Sequence, residues 1–231
     1  MKMFSFRFFV FALIVLCFFY INAIAQQNNE QPKTLSADIN QAILNEINEA
    51  RANPQSFVPY LENYRKTFKG NTAYYPDGKM VTTIEGTAVI DEAIEYLKTL
   101  PKLPPYAMSK GLLSAANSQM SDLMENSALG HYGKDGGDLP TRLRKFGAYG
   151  SLTAENITYY APLARDIVMA MIIDDGVKSR GHRKNIFSPG FKQIGPAFGQ
   201  SKKGENLCVV IFADFFREAG AIPSDKRLKP F

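Results

Sequence analysis

Histidine is almost missing from this chain. Among 231 residues there are two, His131 in Gly130-His131-Tyr132-Gly133 and His182 in Arg180-Gly181-His182-Arg183. Any chemistry that needs an imidazole falls on these side chains, which change charge near neutral pH. Cysteine is as scarce, with Cys17 in an N-terminal apolar run and Cys208 in a strand-like one. Loss of the N-terminal run would leave one cysteine and exclude an intrachain disulfide. Cys208 is expected to be a small packed hydrophobe rather than a nucleophile. H-E-x-x-H, G-x-S-x-G and the phosphate-binding G-x-x-x-x-G-K-[ST] are absent, so nothing marks a zincin helix, a serine-hydrolase elbow or a nucleotide loop. There is no internal repeat. The charge balance, 27 basic against 22 acidic side chains, is too mild to point to nucleic acid.

Long apolar runs are also few. Phe8 to Ile21 is an uncharged stretch of 14 residues, short of the roughly 18 that span a bilayer. Lys2 and Arg7 precede its end, and Ala23-Ile24-Ala25 follows as a small-x-small cleavage site, the pattern of a secretory signal. Residues 1–25 are read as a signal peptide, with an uncleaved anchor as the alternative. The bulky Leu16 before Cys17 argues against lipidation. Cleavage leaves about 206 residues and a charge of about +3, enough for one domain with a real core and no membrane span. The expected location is secreted or periplasmic.

What is present is helical periodicity first, then strands. Residues 26–33 are a polar linker. Ile39, Ile43, Ile47 and Ala50 mark one helix face, stopped by Pro54. Ser56 to Tyr64 predicts a short second helix. Tyr74 to Val81 predicts two extended arms around Pro76-Asp77-Gly78. Ile90, Ala93, Ile94 and Leu97 mark another helix. A further one starts at Ser109, with Leu113, Ala116, Met120 and Met124 as its buried face and Gly130 as its cap. Leu152 to Tyr160 is extended and carries Glu155. Pro162 opens the next helix, whose buried face is Leu163, Ile167, Ala170 and Met171, and Asp174-Asp175-Gly176 ends it. Gln193 to Gly199 and Leu207 to Phe216 are two closing strands, apolar along both faces and therefore covered on both sides. The expected fold class is α+β, with helices on both faces of a mainly antiparallel sheet.

Two well-separated imidazoles with a glutamate between them suggest a polar cleft. If His131, Glu155 and His182 converge, they supply two nitrogens and a carboxylate for zinc or another divalent cation. Alternatively a carboxylate orients one ring as a general base. Asp174 and Asp175 offer a second carboxylate, or cap their own turn, or pair with Arg180 or Arg183. Each histidine also admits a purely structural role in its turn, and Glu155 one as a buried hydrogen-bond anchor. Lys178, Arg180, Arg183, Lys184 and Lys192 form a basic stretch read as solvated loop surface. Asn156-Ile157-Thr158 fits the glycosylation pattern by coincidence, since Asn156 is expected to be buried.

Several motifs in one order carry a resemblance. These are Gly130-His131, Arg142 with Phe146-Gly147, Ala154-Glu155-Asn156-Ile157, Ser179 to Ile186, and Phe191-Lys192-Gln193-Ile194-Gly195. Ile47-Asn48-Glu49-Ala50-Arg51 adds an early match. Together they resemble the CAP superfamily of cysteine-rich secretory, antigen 5 and pathogenesis-related class one proteins, in its bacterial secreted branch. The resemblance covers roughly residues 39–217, leaving 26–38 as linker and 218–231 as a tail. It implies a three-layer α-β-α sandwich with a central antiparallel sheet. It also implies a cleft lined by two histidines and acidic residues, which in some members holds a divalent cation such as zinc. His131, Glu155 and His182 take three of the four cleft positions. The fourth, a glutamate near the end of the helix before the second histidine, has no direct match, and Asp175, Asp174 or Ser179 falls there.

No single activity follows from such a fold. A cleft without an identifiable nucleophile favours binding over turnover. The expected function is a secreted module holding a small molecule, a lipid or a divalent metal through His131, Glu155, Asp175 and His182. One alternative is a metal-assisted hydrolase of peptide or cell-wall material, with Glu155 as base. The other is a structural or interaction protein of the cell envelope.

Overall fold

The computed structural model describes residues 39–76, 78–126, 130–159, 161–201 and 204–220. The expected signal peptide, the linker and most of the tail lie outside them. Helix α1 covers residues 39–52. Pro54 ends it, and a 3-10 turn over Pro54–Phe57 leads into α2 (Val58–Arg65). A small antiparallel meander follows: β1 (Phe68–Lys69), β2 (Thr72–Tyr74) and β3 (Met80–Thr82). The two arms expected around residue 77 are β2 and β3; β1 is an addition that no alternation in the sequence signals.

Next come α3 (Thr87–Thr99), β4 (Ala107–Met108), α4 (Lys110–Asn126), α5 (Leu139–Arg144) and β5 (Gly147–Tyr149). The chain continues through β6 (Thr153–Tyr159), α6 (Ala164–Ile173) and α7 (Gly181–Ile186). It closes with β7 (Gln193–Gln200), β8 (Asn206–Ala213) and β9 (Phe216–Glu218). The main sheet has the order β4-β7-β8-β6, parallel only between β4 and β7. β9 turns away to pair with β5.

Strand β8 shows why the layers form. Its side chains alternate between the two faces. Cys208, Val210 and Phe212 pack into the cluster built by α1, α2, α3, α6 and α7. Leu207, Val209, Ile211 and Ala213 pack into the cluster built by α4 and α5. Both faces are therefore dry, and the architecture is an α-β-α sandwich. Helix α4 lies so close to the sheet that a β-carbon on Gly195 would sit 2.1 Å from the Leu113 amide nitrogen. No helix among the described residues is long and apolar enough to cross a membrane.

Some expectations about faces are corrected. In α4 the fully buried apolar residues are Leu112, Ala115, Ala116 and Leu123, while Leu113, Met120 and Met124 are half-buried. The helix is rotated by about one residue because Gly195 admits its backbone at Leu112. Leu163 is exposed and forms the N-cap of α6, with Pro162 before the helix rather than in it. Glu218, assigned to the tail, belongs to β9 and accepts from Ser109 Oγ and the Gly111 amide.

Candidate functional site

Two consecutive residues of β6 organise the candidate site. Among the described residues β6 is an edge strand, and its side chains alternate, so Glu155 and Asn156 point to opposite faces. Ile157 and Tyr159, on the Glu155 side, pack with the α4 cluster. Ala154, on the Asn156 side, packs with the α6 cluster.

Glu155 is sealed under α4 and α5, its side chain 2 % exposed. One carboxylate oxygen accepts from Arg142 Nη2, itself buried. The other accepts from His131 Nδ1 at 2.9 Å. The second Arg142 amino group donates to Gln119 Oε1, and Gln119 Nε2 donates to the carbonyls of Gly130 (3.0 Å) and Tyr132 (3.2 Å). A carboxylate accepts only, so Nδ1–H of His131 is the donor, and the ring stands largely in solvent, 57 % exposed. The hydrogen bond with Glu155 raises the His131 pKa above its ordinary 6.5, against partial burial and the nearby Arg142 charge. A raised folded pKa stabilises the fold fully below the unfolded value and loses that contribution as pH climbs through the folded one. A proton NMR titration of His131 is expected to give a midpoint above 6.5, and Glu155→Gln is expected to bring it down. An unchanged midpoint in that variant would mean the ring is not paired with Glu155.

On the other face, Asn156 is fully buried and donates to the His182 carbonyl at 3.1 Å, while Asn185 Nδ2 donates to its Oδ1 at 2.8 Å. His182 is the second residue of α7, not part of a free turn. Its Nδ1–H donates to Asp174 Oδ1 at 2.7 Å, and its amide donates to Asp174 Oδ2 at 2.9 Å. Asp174 ends α6 in a left-handed conformation, φ 61°. That turn swings its carboxylate under the start of α7, where it binds two backbone amides and one ring.

The residue expected in the cleft was Asp175. Its side chain borders the same cavity as His182, but its two oxygens accept from the amides of Ile84 and Glu85, both at 2.8 Å. Asp174 supplies the carboxylate that meets His182. The basic stretch is corrected as well. Arg180 pairs with Glu85 and Glu92, and its hydrogen bond holds the Glu85 carboxyl down at about 2. Arg183 is buried, donating to the carbonyls of Ile172 and Ile173 and to Glu92. Carbonyls at the end of α6 need donors, and these two guanidinium groups supply them. Cys208 is buried, and burial pushes its thiol well up, away from reactivity.

Each ring is thus held by its own carboxylate, His131 by Glu155 of β6 and His182 by Asp174 at the end of α6, and Asn156 of β6 bonds the His182 backbone. A zinc site with an open position takes three protein ligands. Among the described residues no group of three or more His, Cys, Asp or Glu side chains could hold a metal ion. Each Glu155 oxygen accepts one hydrogen bond, from His131 or from Arg142. Among the described residues the donor set does not fit a resident zinc.

A cavity of about 570 Å³ lies at the free edge of β6. Tyr64, Phe68, Ile90, Ala170 and Ile173 are among its apolar walls, and Ile157 to Tyr159 and Val81 to Ile84 face it. His182 and the two aspartates border it, while His131 and Glu155 do not. Sequence reasoning missed Arg51, whose helix position gives no hint that it is buried. It missed the 81–84 wall too, which meets Asp175 across about ninety residues of chain.

Three solved structures that match the chain are bacterial proteins. An outer surface protein from Borrelia burgdorferi matches at 20% identity and TM-score 0.43, over 57% of this chain and 96% of that one. An extracellular protein containing an SCP domain from Bacillus anthracis str. Ames matches at 21% identity and TM-score 0.40, over 55% of this chain and 39% of that one. A cysteine-rich secretory protein from Staphylococcus aureus subsp. aureus Mu50 matches at 16% identity and TM-score 0.37, over 59% and 42%. The chain therefore spans less than half the length of the last two. A comparison with curated proteins gives no match. The model of the cysteine-rich secretory protein family, CAP, matches residues 44–212, most of the sequence, and the chain belongs to that family.

Proposed function

We propose that this protein is an extracytoplasmic binding module that takes a small, largely apolar ligand in the cavity beside His182. The cavity is the observation that carries the reading. Its volume, about 570 Å³, falls in the range of small-molecule sites, and so does its make-up of apolar walls with few polar groups. One imidazole gives it direction. Nδ1–H of His182 is committed to Asp174, so in the neutral ring Nε2 is left as an acceptor. A guest with an O–H or N–H donor and an apolar body matches that pattern. Asp174 and Asp175 disfavour an acidic guest. The N-terminal charge and apolar pattern supports placement outside the cytoplasm.

The test uses phenyl-naphthylamine, a neutral fluorescent probe with one N–H donor. Saturable binding at one site per chain is expected. Ala170→Phe, which fills the cavity from α6, is expected to weaken it tenfold or more with little change in melting temperature. Equal affinity in a folded Ala170→Phe variant would overturn the reading.

A further inference from the structure

Two unpaired strand edges border this one cavity. The first belongs to β6, which among the described residues has a sheet partner on one side only, β8. The amide of Asp214 donates to the carbonyl of Leu152 at 3.0 Å, in register with the β6–β8 ladder. In an antiparallel ladder, residues alternate between exchanging both bonds with the partner and pointing away from it. Residues 154, 156 and 158 therefore bond to β8, and the N–H and C=O of Ile157 point outward. The second edge belongs to β3, which among the described residues is the outer strand of the meander. The Thr83 amide donates to Asn71 O at 2.8 Å, and the Tyr75 amide to Lys79 O at 2.9 Å. By the same alternation Val81 bonds to β2, and the N–H and C=O of Thr82 point outward. Ile157 and Thr82 both line the cavity.

Free edges of this kind are templates for another strand, and proteins normally cover or blunt them. Here both open onto an apolar hollow. A guest that satisfies them needs backbone amides on both of its sides, which an extended peptide has and a simple amphiphile lacks. The walls add side-chain selection. Tyr64, Phe68, Ile90 and Ile173 receive apolar groups, and the Asp174 and Asp175 carboxylates disfavour acidic residues. The 83–86 segment is pinned beside the hollow by Asp175 and by the Glu85–Arg180 pair, so the β3 edge is held in place.

The geometry points to a short, extended, uncharged peptide as the ligand of this cavity, bound as an added strand between β6 and β3. This rests on the cavity reading above and narrows it to a class. The probe is the acetylated, amidated pentapeptide Val-Thr-Val-Thr-Val. It is expected to displace phenyl-naphthylamine and to slow amide exchange at Ile157 and Thr82. Analogues N-methylated at both threonines, or at the central valine, keep the apolar surface but lose donors on one edge. Each is expected to bind at least tenfold more weakly. Thr82→Pro removes the outward N–H of β3 at a place where an edge strand tolerates proline. It is expected to weaken the peptide at least tenfold more than it weakens phenyl-naphthylamine. Equal binding of the methylated analogues, or of the peptide to a folded Thr82→Pro variant, would overturn the added strand. So would binding of phenyl-naphthylamine without binding of the peptide, and in each of these cases the cavity reading stands. Binding of neither probe would overturn both.

Discussion

Glu155→Ala is expected to lower the unfolding free energy by about 3–5 kcal/mol, the usual cost of stranding one member of a buried ion pair. Glu155 and Arg142 are both sealed in the interior, 2 % and 4 % exposed. Arg142 Nε has no hydrogen-bond partner, so without Glu155 the guanidinium keeps only Gln119 Oε1. The effect reaches the surface as well, because His131 loses its contact with the Glu155 carboxylate. The double variant Glu155→Leu with Arg142→Met should recover most of the loss, since an apolar pair of similar volume is often neutral or better. Urea unfolding measures all three proteins. A loss below about 1 kcal/mol in the single variant would place the pair in a far wetter setting than the structure gives it.

Arg51→Met is expected to cost a similar amount, about 3–5 kcal/mol, for a different reason. Arg51 is 1 % exposed, and its guanidinium stacks 3.6 Å from the centre of the Tyr106 ring. Nε donates to Pro104 O at 2.8 Å, and Nη1 to Ile186 O at 2.7 Å and Ser188 O at 3.0 Å. Burial lowers its pKa, and carbonyls and an aromatic face take the place of an acid. Methionine removes the charge and fills the space but leaves carbonyls without donors, each worth roughly 1–3 kcal/mol. Tyr106 Oη still reaches Ser188 O at 2.8 Å, which caps the loss. Ile186 closes α7 and Ser188 follows it, so this clamp also fixes the helix that carries His182. Both unfolding free energy and probe affinity should fall. A variant as stable as the parent would show that the three carbonyls find other donors.

Which parts of this were legible in the sequence follows from how local their causes are. The apolar continuity of Leu207 to Phe212 predicts a strand covered on both faces, and β8 divides its side chains between two cores. Periodicity places α3 and α6 closely. It misses the rotation of α4 because the close contact at Gly195 joins residues about eighty apart. The motif order brings His131, Glu155 and His182 into view but not their partners. Asp174 and Asp175 are adjacent and chemically equal, and only the left-handed turn at Asp174 sends one to His182 and the other to the 83–86 segment. The alternation of β6 sets Glu155 and Asn156 on opposite faces, so one holds the His131 ring and the other the His182 backbone. Arg180 and Arg183 looked like solvated charge because their partners Glu85 and Glu92 are about ninety residues away.

In the proposed function His182, not His131, faces the guest. Nitrogen NMR of the two imidazoles during a titration with phenyl-naphthylamine tests it directly, since the rings are the only histidines in the chain. The predicted result is a saturable shift of His182 Nε2, with His131 unmoved and still paired with Glu155. A shift at His131 with His182 silent would contradict the account.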